Sequence, residues 1–161
     1  MKTTARLLKR HARGFTLVEL MVTIGVAAIL AGIAAPGYAT FIATSGAKNA
    51  AMQLTADLSA ARSEALKRNT NVVVAPVASD WRNGWTVTVG GSELFKRNAL
   101  ANGVTVSAPT TGVTFLPTGR IDENAIDSNA RWQVSATTSG VTPRCILLTP
   151  TGAARSKQGA C

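Results

Sequence analysis

The sequence predicts an α+β protein: a long N-terminal helix, half of it apolar and half amphipathic, packed on a small antiparallel β domain. Three observations carry this. No charged residue occurs from Leu20 to Ala47. Leu54, Leu58, Ala61 and Ala65 then fall at i, i+4, i+7 and i+11, which is one face of a helix. From Asn71 onward short β-forming runs alternate with turn residues, and no helix-period run lies among them. The 161 residues leave room for one globular domain and an appendage.

The first element is a basic leader, residues 1–14. It holds Lys2, Arg6, Lys9, Arg10 and Arg13 and no acid. An apolar helix over 15–46 follows. Phe15 to Ile42 would extend roughly 42 Å as a helix, more than the ~30 Å hydrocarbon core of a bilayer. The basic leader keeps its side of such a helix cytoplasmic and places the rest outside. Glu19 is the one charge in this segment, and an acid at mid-depth costs roughly 2.5–3.5 kcal/mol. Ala27, Ala31 and Ala35, and likewise Ala28 and Gly32, repeat every fourth residue, a spacing that permits close helix approach and that also arises by chance. Pro36-Gly37 should kink or loosen the helix, because Pro lacks a backbone donor and crowds the preceding turn.

The domain over 47–161 begins with an amphipathic helix, 47–69, on which Asp57, Arg62, Glu64, Lys67 and Arg68 lie mostly off the apolar face. Lys67 and Arg68 suit the negative end of the helix dipole, and Asn69 or Asn71 suits the exit. Strands are expected at Val72–Val74, Trp85–Val89, Glu93–Arg97, Val104–Val106, Val113–Leu116, Trp132–Ala136 and Cys145–Leu148. A short last strand is expected near Ala153–Arg155, and Gly90-Gly91 forms a turn. Trp81 and Trp85 are expected in the core, and Gly84 and Gly119 in turns.

The formal charge of +9 overstates the basic character. Without the five leader cations, 12 basic residues face 8 acidic ones, or +4, which is not the signature of a dedicated nucleic-acid protein. Cys145 and Cys161 are the only cysteines. In an exported chain such a pair most often forms a disulfide, here pinning Cys161 to a preceding strand, and two unrelated thiols are the alternative. No metal or cofactor is expected, since a zinc site needs about four ligands and the sole His, His11, lies in the leader. No catalytic residues are expected either: there is no Ser/His/Asp set and no phosphate-cradling glycine loop. Asp122, Glu123 and Asp127 read as a solvated acidic loop without calcium-loop spacing.

Three readings of the N-terminus compete. A cleaved secretory signal accommodates neither the length of the apolar stretch nor Glu19. A plain membrane anchor explains orientation but leaves the acid unexplained. The third rests on Gly14-Phe15-Thr16-Leu17-Val18-Glu19, which resembles the processing site of type IV pilins and type II secretion pseudopilins. The resemblance implies cleavage by a prepilin peptidase between Gly14 and Phe15, methylation of the new N-terminal Phe15, and a pilin fold. It also implies that Glu19 is the assembly acid. Cleavage creates an α-ammonium at Phe15, and an intersubunit pair with Glu19 would satisfy both buried charges and set the register between neighbours.

The resemblance extends through the chain. Ala60-Ala61-Arg62-Ser63-Glu64-Ala65, Asp80-Trp81-Arg82-Asn83-Gly84-Trp85 and Phe115-Leu116-Pro117-Thr118-Gly119-Arg120 are similar to motifs of the GspH/FimT branch of minor pilins and pseudopilins. This implies a single-pass inner-membrane subunit with its globular domain in the periplasm. Its implied partners are other pilin or pseudopilin subunits and prepilin peptidase. FimT-like minor pilins act in DNA uptake through a C-terminal Gly-Arg-x-Arg motif. Gly152 and Arg155 match its ends, whereas Ala153 stands where the first Arg belongs. The segment Thr149–Gly159 reads as a basic, flexible turn, which is either a solvated basic tail that binds no DNA or, through Gly152, Arg155, Lys157 and Arg144, the candidate contact with double-stranded DNA. Lys157 supplies charge there without bidentate geometry.

Overall fold

The computed structural model describes residues 14–109, 111–122 and 130–161. The chain forms two compact units, one ending at Pro36 and one from Gly37 to Cys161. One α-helix, α1 (Leu17–Arg68), contributes to both, with Pro36 inside it where the units divide. The helix starts where sequence chemistry allows. Thr16 is its N-cap, its Oγ1 accepting from the Glu19 N–H at 3.2 Å while the Thr16 carbonyl accepts from Leu20 N–H. It stops at Asn69, whose φ of 49° is left-handed, and Thr70 N–H returns to the Ala65 carbonyl at 3.3 Å. That pairing closes the exposed carbonyl end in the Schellman manner. In the first unit the helix is apolar and fully exposed, long and apolar enough to cross a membrane.

Among the described residues of the second unit eight strands follow α1: β1 (Val72–Pro76), β2 (Trp85–Val89), β3 (Ser92–Lys96), β4 (Val104–Ser107), β5 (Val113–Phe115), β6 (Arg131–Ala136), β7 (Arg144–Leu148) and β8 (Ala154–Gln158). They form two four-stranded sheets, in the orders β3-β2-β1-β5 and β4-β6-β7-β8, and every pairing is antiparallel. Both sheets and the helix share one core. Ala47, Ala50, Ala51, Leu54, Leu58, Ala61 and Ala65 of α1 are buried together with Val72, Val74, Val87 and Phe115 of the first sheet. Trp132, Val134, Ile146 and Leu148 of the second sheet belong to the same cluster. The alanines let the helix axis approach closely, and the aromatic volume comes from the sheet side. Trp81 stacks edge-on against Trp132 at 5.5 Å between centroids and lies 6.2 Å from Trp85, so a tryptophan cluster bridges the sheets.

The Asp80–Trp85 motif is a structural turn. Asp80 accepts from the Arg82 N–H and from its guanidinium, and these side-chain hydrogen bonds hold the carboxyl below its ordinary value. Gly84 adopts φ 92°, and a Cβ there would lie 2.1 Å from the Arg97 carbonyl oxygen.

Two expectations are corrected by the fold. Asp57 does not sit on the solvated face of the helix: it is buried, at 3% exposure, and partnered across the sequence. The C-terminal segment is not a flexible turn: Ala154–Gln158 is a regular strand paired with β7 along its whole length. The ladder to β7 supplies backbone partners that a turn would have to find in water.

The disulfide joins Cys145 of β7 to Cys161, 16 residues apart. A loop of this size loses chain entropy worth about 3 kcal/mol when cross-linked in the unfolded state. Replacing both cysteines by Ala is therefore expected to lower the unfolding free energy by about 2–4 kcal/mol, read from the denaturant midpoint under non-reducing conditions. An unchanged midpoint would show that the cross-link does not constrain the unfolded chain.

Candidate functional site

The N-terminal site is small and open. Gly14, Phe15 and Thr16 precede the helix, Phe15 is 79% exposed, and a Cβ on Gly14 would meet nothing within 4 Å. The Gly14–Phe15 bond thus lies in non-helical, accessible backbone directly before the capped helix. Glu19 stands in the first helical turn, exposed and without an ion-pair partner among the described residues. Thr16 and Glu19 also have the spacing of a capping box. The leader cations Lys2, Arg6, Lys9, Arg10 and Arg13, with His11, lie outside the described residues, as do Glu123 and Asp127.

The C-terminal candidates do not converge. In β7 and β8 the register pairs Leu147 with Arg155 and Cys145 with Lys157, so Arg155 and Lys157 share the sheet face of Cys145 and Leu147. Arg144 pairs with Gln158 and alternates to the opposite face, that of Ile146 and Leu148. Gly152 has a different task. It is buried at φ 79°, and a Cβ on it would lie 2.1 Å from the Gly119 carbonyl oxygen and 3.2 Å from Arg62.

This contact has a legible origin. Pro117-Thr118-Gly119 and Pro150-Thr151-Gly152 repeat the same tripeptide, one turn after β5 in the first sheet and one between β7 and β8 in the second. Each closes with the Gly N–H on the carbonyl three residues back, Leu116 or Thr149, at 2.8 Å. Pro at the second position and Gly at the fourth suit such turns. The two turns stack, with Ile121 N–H donating to the Pro150 carbonyl at 3.2 Å, and Arg62 of α1 donates through Nε to Gly119 at 3.0 Å. Helix motif and turn motif are therefore partners in space.

The third cluster was missed from sequence. Asp57 of α1 accepts from Trp85 Nε1 at 2.9 Å and from Arg97 Nε and Nη2 at 2.8 Å each. The hydrogen bonds that Arg97 donates to Asp57 hold its guanidinium above its ordinary value. Arg97 also lies over the Phe95 ring at 5.3 Å. The group fastens the middle of the helix to the first sheet.

Residues 50–152 match the family described as type II transport protein GspH, and residues 9–35 match the prokaryotic N-terminal methylation motif. The chain belongs to the GspH family. No curated protein sequence matches it. Among solved structures, this GspH-family chain is similar to the Pseudomonas aeruginosa type IV minor pilin FimU, with 20% identity, 68% of this chain and 87% of that one covered, and a TM-score of 0.60. It is also similar to the minor pseudopilin EpsH of the Vibrio cholerae type 2 secretion system, with 13% identity, 70% and 96% coverage, and a TM-score of 0.53. Both likenesses concern the fold, a long helix on antiparallel sheets. The GspH-family chain is thus a minor pilin or pseudopilin bearing the prepilin methylation motif.

Proposed function

We propose that this chain is a minor subunit that is cut after Gly14, anchors in the inner membrane with its β domain in the periplasm, and joins a type IV pilus or a secretion pseudopilus. The observation that carries this is the open, non-helical Gly14–Phe15 bond directly before a Thr16-capped helix whose sole charge up to Ala47 is Glu19. Hydrolysis of that bond by prepilin peptidase leaves the Gly14 carboxylate on the leader and frees the Phe15 amine. The amine is protonated below a pKa of about 7.7–8.0, and methylation leaves it cationic. In the bilayer neither that ammonium nor Glu19 has a good partner within an apolar surround. Pairing between the ammonium of one subunit and Glu19 of its neighbour satisfies both and fixes the axial register. Apolar exposure along the first unit then becomes the packing surface between subunits.

Glu19→Ala tests this. Mass spectrometry of the membrane fraction is expected to find cleavage after Gly14 unchanged. Incorporation into sheared filaments is expected to fall roughly tenfold or more, a factor that about 1.4 kcal/mol represents. Undiminished incorporation would remove the charge-pairing account.

A further inference from the structure

The two sheets have four edge strands, and they are not equally protected. β5 has three residues and is flanked by the Phe115–Ile121 bridge, with Asp122 N–H donating to the Thr114 carbonyl. β4 packs against the Trp81–Asn83 turn. β3 pairs with β2 through a register shift between Val87 and Thr88, an irregularity that twists an edge away from further pairing. β8 has none of these devices. It is five residues long, regular in register, free of Pro, and exposed from Arg155 to Gln158. Among the described residues it pairs with β7 alone. Such an edge offers a row of backbone donors and acceptors to another chain.

Charge selects the occupant. Arg155 and Lys157 lie two residues apart on one face of β8, and Arg131 stands in the same cross-strand row as Leu147 and Arg155. No acid follows Asp127 in the sequence. Antiparallel pairing of two β8 strands about Ser156 would set Arg155 opposite Lys157 twice, and like charges directly opposite are destabilising. A second copy is thereby disfavoured in the register that would pair all five residues of this edge. An extended segment with carboxylates at alternate positions meets the same two cations favourably while completing the ladder. We propose that β8 is an open pairing edge that takes an extended, acid-bearing segment of a different subunit by strand addition. This rests on the reading that the chain works inside a multi-subunit assembly, and it makes no use of Glu19.

The test uses the full processed chain in detergent micelles and two synthetic peptides, Thr-Glu-Val-Glu-Val-Glu-Thr and its counterpart with Lys for Glu. The Glu peptide is expected to slow amide hydrogen exchange in β8 and to bind roughly fivefold or more tightly than the Lys peptide. Arg155→Glu with Lys157→Glu is expected to invert the preference, and Arg155→Gln with Lys157→Gln to abolish it, with exchange in β6 and β7 unchanged. A Glu19→Ala chain is expected to bind the Glu peptide as the parent does, which separates this proposal from the filament reading. Absence of protection in β8, or a preference unmoved by charge reversal, would overturn it. Protection of β8 by a short DNA duplex and by neither peptide would also overturn it, assigning this face to nucleic acid.

Discussion

Gly152→Ala is expected to destabilise the β domain by about 3 kcal/mol or more, a size reserved for substitutions that meet immovable backbone or strained dihedrals. The φ of 79° already disfavours a side chain, at roughly 1–2 kcal/mol for an L residue in the left-handed region. The larger part is steric. The new Cβ would lie 2.1 Å from the Gly119 carbonyl oxygen, a backbone atom that Arg62 also holds. Relief requires separating the two Pro-Thr-Gly turns and so the two sheets they terminate. Denaturant unfolding of the purified chain in micelles measures the effect. A Gly152→Ala chain that unfolds at the parental midpoint would show that the turns are not packed as described. The result also bears on ligand binding, because a glycine kept only for approach to DNA would tolerate Ala without loss of stability.

Arg97→Ala is expected to cost about 3 kcal/mol, at the lower end of the range for stranding a buried charge. The pair is asymmetric: the Asp57 side chain is 5% exposed and that of Arg97 is 41% exposed. Removing Arg97 leaves a buried carboxylate with Trp85 Nε1 as its remaining side-chain donor. Asp57→Asn keeps the volume and an acceptor for Trp85 and leaves a guanidinium that water can reach, so its cost is expected to be smaller, about 1–2 kcal/mol. The ordering of the two variants is the informative readout. If Asp57→Asn proved the more damaging, the carboxylate would be tolerating burial by means other than Arg97.

Much of this organisation is legible in the sequence. The eight expected strands all exist, β2 with its bounds unchanged and the others with bounds that move by three residues at most, and the buried helical face is the one that periodicity indicated. The exceptions share a cause. Asp57 was grouped with the charges off the apolar face because its partner Arg97 lies 40 residues away, and no local pattern marks such a pair. Arg144 looked like a companion of Arg155 and Lys157 because all three are basic and close in sequence, whereas strand alternation sends it to the opposite face. Gly152 matched one end of a DNA-binding motif, yet its surroundings explain it as a contact between turns. The repeated Pro-Thr-Gly was visible in the sequence, but its meaning depended on the two copies meeting.

The features that local chemistry controls can be read from residue order alone. These are the N-terminal methylation motif around Gly14-Phe15, the apolar helix whose one charge up to Ala47 is Glu19, the amphipathic continuation, and the succession of short strands. Each depends on residue type and spacing within a turn or two of the chain. Contacts across the fold set how the described strands divide into two sheets, which charge is buried, which glycine is enclosed by backbone, and that β8 lies at an edge. Those outcomes depend on contacts between segments far apart in the chain, and their sign is set by whether a partner arrives, which spacing alone does not encode.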